Sequence, residues 1–126
     1  MAGLLTIASV VCVVCAWEIS EWDARVQVKQ FEPAFGFTSG TVIVPDGNGG
    51  QFESWGIVAV ADDGAFARAG VRGGDVPFDH HGFGAQRLLY ALIRASKGEP
   101  GEFAVLNAAD WTRTSNPLRA VAIGPK

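Results

Sequence analysis

The chain has 126 residues, 48% of them hydrophobic, with 16 glycines and a net charge of −3. That length suffices for one domain with a modest core. The slightly acidic balance leaves no basic footprint, which argues against nucleic acid as a partner. No block of like charge, low-complexity tail or solenoid-type repeat is present.

Residues 2–17, AGLLTIASVVCVVCAW, carry no charge, and Glu18, Glu21 and Asp23 follow at once. As a helix this run reaches about 24 Å, against a hydrocarbon core of about 30 Å. Extension through Ile19 towards Trp22 completes a span, with Trp17 and Trp22 at the interface. The reading is therefore a hydrophobic anchor over 1–22, inserted in the lipid bilayer through residues 2–17, and a separate body over 24–126. Two alternatives stay open: a buried strand or core helix, and a secretory signal with Val14-Cys15-Ala16 as its small-residue site. No Lys or Arg precedes the run, which argues against a signal. For a single span, Arg25 and Lys29 would hold the body in the cytoplasm by the positive-inside rule. A short uncharged N-terminus is easily translocated, and the expectation is a membrane-anchored chain with an extracytoplasmic body. Cys12 and Cys15 share a helix face one turn apart. A redox pair or half a zinc site has that spacing, but no second pair exists, and packing as small hydrophobes is expected.

Beyond residue 23 the pattern shortens. RVQVKQF (25–31) alternates Val26 and Val28 with Gln27 and Lys29, which predicts a half-buried strand. TVIV (41–44) is a second strand, ended by the turn-rich PDGNGG (45–50), and GIVAVA (56–61) is a third. In ADDGAFARAGVRGGD (61–75), Asp63 is placed to cap a short helix through Ala65–Ala69. Gly70 takes the left-handed position that ends it. Arg72-Gly73-Gly74 turns the chain, and Asp75 is placed to accept backbone N–H groups of that turn. DVPF (75–78) begins a fourth strand, short or at an edge because of Pro77. AQRLLYALIRAS (85–96) has helical periodicity, with Ala85, Leu88, Leu89 and Leu92 on one face and Gly98 as a stop. EFAVLN (102–107) and LRAVAI (118–123) are two further strands, joined by a long connection. The fold class is α+β: a small curled antiparallel sheet capped by two helices.

From about Arg25 to Ile123 the chain resembles a PDZ domain, especially the bacterial type. The match lies in GIVAVADDGAFARAGVRGGDV, where a glycine-led strand, a small-residue helix, Ala-Gly-hydrophobic and Gly-Asp-hydrophobic follow in order. HHG stands where the family usually has Asn-Gly, and the long helix and KGEPGEFAVLN follow. The resemblance implies a curled sheet or partial barrel that binds a partner's C-terminus or strand by strand addition. Carried over by position, the carboxylate-binding loop is Ala34, Phe35, Gly36 and Phe37. The pairing strand runs from Thr38 to Val44, with Ser39 and Thr41 in the groove, and the helix face is Ala85, Leu89 and Leu92. Three features depart from the family pattern. Glu32 precedes the loop and repels a carboxylate, with Lys29 placed to offset it. Ser39 and Thr41 make the groove more polar. No His opens the helix. Ordinary core packing remains the alternative role of Phe35 and Phe37.

Two functions follow. One is a membrane-tethered protein–protein interaction module. The other is a small accessory subunit of a larger membrane complex, whose body is a docking block with its groove empty or filled by its own chain. In the second, Ala2, Gly3, Ala8 and Ser9 permit close helix approach. An enzyme is not expected: there is no Gly-x-Ser-x-Gly elbow and no His-Glu-x-x-His. Asp79-His80-His81 is read as a solvated turn rather than a metal site. No cofactor and no metal are expected.

Overall fold

The computed structural model describes residues 19–111 and 118–124. The apolar run 2–17 and both cysteines lie outside them. Among the described residues no helix is long and apolar enough to cross a membrane.

The first element departs from the alternation expected of residues 25–31. Glu21–Val28 is a helix, α1, continued by a 3-10 turn over Lys29–Phe31 and a short helix, α2, over Glu32–Phe35. Ser20 caps α1, its hydroxyl accepting from the Asp23 N–H at 3.0 Å, which satisfies one of the orphan donors of a helix start. Ala24 and Val28, one turn apart, are fully buried, while Val26 is 55% exposed. A strand would have put Val26 and Val28 on one face; the helix sends them to opposite sides.

Strand β1 (Phe37–Pro45) pairs antiparallel with β2 (Gln51–Val60), Phe37 opposite Val60 and Pro45 opposite Gln51, with an irregularity at Thr38/Ser39. A second antiparallel sheet has the order β3 (Asp75–Phe78), β4 (Gly101–Asn107), β5 (Arg119–Ile123). The strands thus form two small sheets rather than the single curled sheet expected. Between β2 and β3 lies the short helix α3, Ala65–Arg68. Its N-cap is Gly64, not Asp63, and no side chain caps it. Instead the Arg68 guanidinium donates to the Asp63 carbonyl at 2.7 Å. Gly70 ends the turn in the left-handed region, at φ +86°. The long helix α4, Gly84–Ser96, lies where its periodicity placed it, and Gly98 follows it.

The β1–β2 ribbon serves two cores. Near its base, Phe37 and Ile57 join Phe35, Phe66, Phe103 and the leucines of α4 in the main core. Phe37 stacks on Phe66, rings 4.0 Å apart and 5° from parallel, a flat overlap reinforcing apolar burial. Further out, Val42 and Val44 turn to the other face and pack with Val76 and Ala108.

The two sheets are joined through the Arg72–Asp75 turn. Asp75 is fully buried. Its Oδ2 accepts from the Arg72 N–H at 2.8 Å and from the Arg119 guanidinium, and its Oδ1 accepts from Asn107 Nδ2 at 2.8 Å. Three bonded partners make burial of this charge tolerable. Asp75→Asn removes the charge and leaves the Arg119 guanidinium uncompensated. Loss of one member of such a pair costs about 3 kcal/mol, measurable as a lower urea midpoint with unchanged m-value.

Candidate functional site

The groove implied by the sequence needs a free edge on β1 and an open face on α4. Residues 20–32 meet both. Helix α1 packs along α4. Burial of Ala24 and Val28 there is mainly hydrophobic, and a fully buried Val contributes about 1.5–3 kcal/mol. The Glu21 carboxylate adds a polar anchor at the start of α4. Its Oε2 accepts from the Ala85 N–H at 2.9 Å and its Oε1 from the Gln86 N–H at 3.0 Å. An anion at a helix N-terminus also meets the favourable end of the helix dipole. The Gln86 side-chain amide donates to the Ile19 carbonyl, tying the entry of α1 to the same turn.

At the other side of the groove, both backbone groups of Ser39 are occupied by side chains. Glu32 Oε2 accepts from the Ser39 N–H at 2.7 Å and from its hydroxyl at 2.6 Å. Lys29 Nζ donates to the Ser39 carbonyl at 2.9 Å and lies 3.7 Å from the Glu32 carboxylate. An acceptor and a donor are thus presented to β1 as a neighbouring strand would present them. The acid and base that the sequence placed against an incoming carboxylate bind the chain's own strand instead.

The expected site residues are therefore divided. Phe35, Phe37, Ser39, Ala85, Leu89 and Leu92 are all buried, whereas Ala34, Thr38 and Thr41 are exposed. The loop itself is closed by backbone hydrogen bonds. Gly36, at φ +73°, ends α2 and donates its N–H to the Glu32 carbonyl at 2.9 Å. Its carbonyl accepts from the Ala61 N–H at 2.9 Å, and a Cβ on Gly36 would meet the Gly64 backbone at 3.0 Å. The left-handed backbone and this close approach both require glycine. Within the expected carboxylate-binding loop, the Gly36 N–H is thus turned into α2.

Asp79-His80-His81 forms the turn before α4, with both histidines exposed. Asp79 Oδ2 accepts from the His81 N–H at 3.0 Å and the Phe83 N–H at 3.3 Å, and Oδ1 accepts from Arg87 Nε at 3.0 Å. Burial pushes the Asp79 carboxyl up, but the His81 N–H, the Arg87 guanidinium and the Phe83 N–H together hold it below its usual value. The His80 ring meets Phe78 edge-on, 5.3 Å between centroids. Among the described residues no group of three His, Cys, Asp or Glu side chains is arranged to hold a metal.

No protein-family model, no curated protein and no solved structure matches this chain.

Two side-chain anchors give measurable expectations. Glu21→Ala removes the double acceptor from the start of α4 and lowers stability by about 1–2 kcal/mol, with faster amide exchange at Ala85 and Gln86. Because the Asp79 carboxyl is held low in the folded state, its contribution is fully present above its unfolded value of about 3.9. It disappears as pH falls through the lower folded value. The stability gap between the wild type and Asp79→Asn should stay constant above about pH 5 and close on further acidification in pH-dependent urea titrations.

Proposed function

We propose that this chain is a non-catalytic docking domain, tethered by residues 2–17 as a single membrane span, and that it serves as a small accessory subunit of a larger membrane complex. Its body is PDZ-like, lies outside the cytoplasm and contacts neighbouring protein subunits. Nucleic acid has no part in this reading. The observation that carries it is the bridge made by residues 20–32. Glu21 is bonded to the start of α4, and Lys29 and Glu32 to β1 at Ser39. A groove filled by its own chain suits a block that docks through its outer surface rather than a receptor for peptide ends. Four acids, Glu21, Glu32, Asp75 and Asp79, hold backbone groups of the fold, which suits a structural role for them.

A second reading keeps the groove as a capture site for a partner's C-terminus or strand. It is favoured by the means of closure, since two side chains rather than a strand cover β1 at Ser39, and Thr38 and Thr41 on either side are exposed. The two readings separate on one experiment with the full chain in mild detergent. It is panned against a random C-terminal peptide library, and its native membranes are solubilised for co-purification. The docking reading expects no peptide consensus and stoichiometric co-purification of other membrane subunits. Selection of a consensus that competes with Glu21 and Glu32 overturns it in favour of capture.

A further inference from the structure

Helix α1 has two faces. Ala24 and Val28 are buried against α4, and Glu21 is turned to the start of that helix. The neighbouring stripe carries Trp22, Arg25 and Val26, spaced i, i+3, i+4, while Lys29 in the 3-10 turn beyond is held by the Ser39 carbonyl. Trp22 is 71% exposed and Val26 55%. An indole on the first turn of a helix gains much from burial, and nothing among the described residues supplies it. Between this stripe and the β1–β2 ribbon runs a cleft of about 490 Å³, with Thr41 and Trp55 on its far side. The Arg25 guanidinium lies over the Trp55 ring, 5.9 Å from its centroid. Its Nε is buried and has no acceptor among the described residues. Glu53 is the acid lining the cleft, and Asp23 flanks the stripe on the first turn.

We infer that this stripe of α1 lies in the phospholipid headgroup layer of the membrane, with Trp22 and Val26 against the acyl boundary and Arg25 directed to lipid phosphate. The inference rests on the anchor reading of residues 2–17. Trp17, the last residue of the uncharged run, precedes Trp22 by only five positions. Even a fully extended connection holds the two within about 18 Å. Helix α1, with eight residues, is about 12 Å long, so lying in the membrane plane it keeps the whole stripe at one depth. Aromatic rings with a polar edge concentrate at that depth, and long basic side chains rest their stems on apolar groups while reaching phosphate. An exposed indole and an exposed valine beside a basic side chain match such a layer. Its attraction does not require net positive charge, because zwitterionic headgroups carry the phosphate.

The test uses the full chain reconstituted in phosphatidylcholine vesicles whose acyl chains are brominated near the headgroup. Tryptophan quenching by bromine is read for the wild type and for Trp22→Phe, and each sample is also washed with carbonate. The expected result is retention of both proteins in the pellet with the quenchable tryptophan signal reduced roughly twofold in Trp22→Phe, as one of two interfacial indoles is lost. Retention with unchanged quenching overturns the placement of α1 and leaves the anchor standing, assigning the stripe to a protein neighbour. Release of the wild type by carbonate overturns the anchor, and the placement of α1 with it.

Discussion

One buried carboxylate braces the turn through which the chain passes from the first sheet to the second. Asp75 sits at the point where the chain leaves the glycine turn after α3 and enters the second sheet. Its oxygens hold that turn through Arg72, the end of β4 through Asn107 and the start of β5 through Arg119. The residues beside it reinforce the junction. The Gly74 N–H donates to the Ile57 carbonyl of β2, and the Gly74 carbonyl accepts from the Ala108 N–H. A charge without these partners would be far too costly to bury. With them it fixes the turn, the end of β4 and the start of β5 to one another. Gly74 takes the left-handed region in this turn, at φ +90°, and a Cβ on Gly73 would meet the Val58 carbonyl at 2.8 Å.

How much of this was legible depended on the range of the interaction. The turn around Asp75 was legible because its donor and acceptor are three residues apart. Helix α4 was legible because Ala85, Leu88, Leu89 and Leu92 repeat with the helical period over several turns. Residues 25–31 were not, because a segment this short supports two periods at once. Val26 and Val28 alternate as in a strand, while Ala24 and Val28 repeat as in a helix. In the structure the Ser20 hydroxyl caps the helical alternative at the Asp23 N–H. The short helix α3 was placed correctly but its cap was not, because Gly64 is needed where Phe35 and Gly36 pass close by. In the groove, Lys29 and Glu32 were recognised as a charge pair near the loop. That they hold Ser39 follows from the helical turn between them, invisible once the segment is read as extended.

The groove region shows how a sheet edge is managed without another strand. An unpaired edge invites association with other chains. Here one carboxylate and one ammonium reproduce the acceptor and donor of a neighbouring strand at a single residue, and α1 covers the adjacent helix. The cover is therefore mixed in character: apolar along α4, where Ala24 and Val28 lie, and ionic along β1. Each part uses a different face of the same short segment, leaving the Trp22 stripe outward. The segment that closes the body on one side also presents its most unusual surface on the other.

The Glu21 contact has a consequence for the order of assembly. The carboxylate and its Ala85 partner are 64 residues apart in sequence. During synthesis at typical rates, roughly 3–13 s separate their appearance. For that interval α1 exists without the surface that covers Ala24 and Val28. An isolated helix of such length is marginal in water, so its final form awaits the chain that follows it. Among the described residues, the first helix to be made is thus one of the last to become secure.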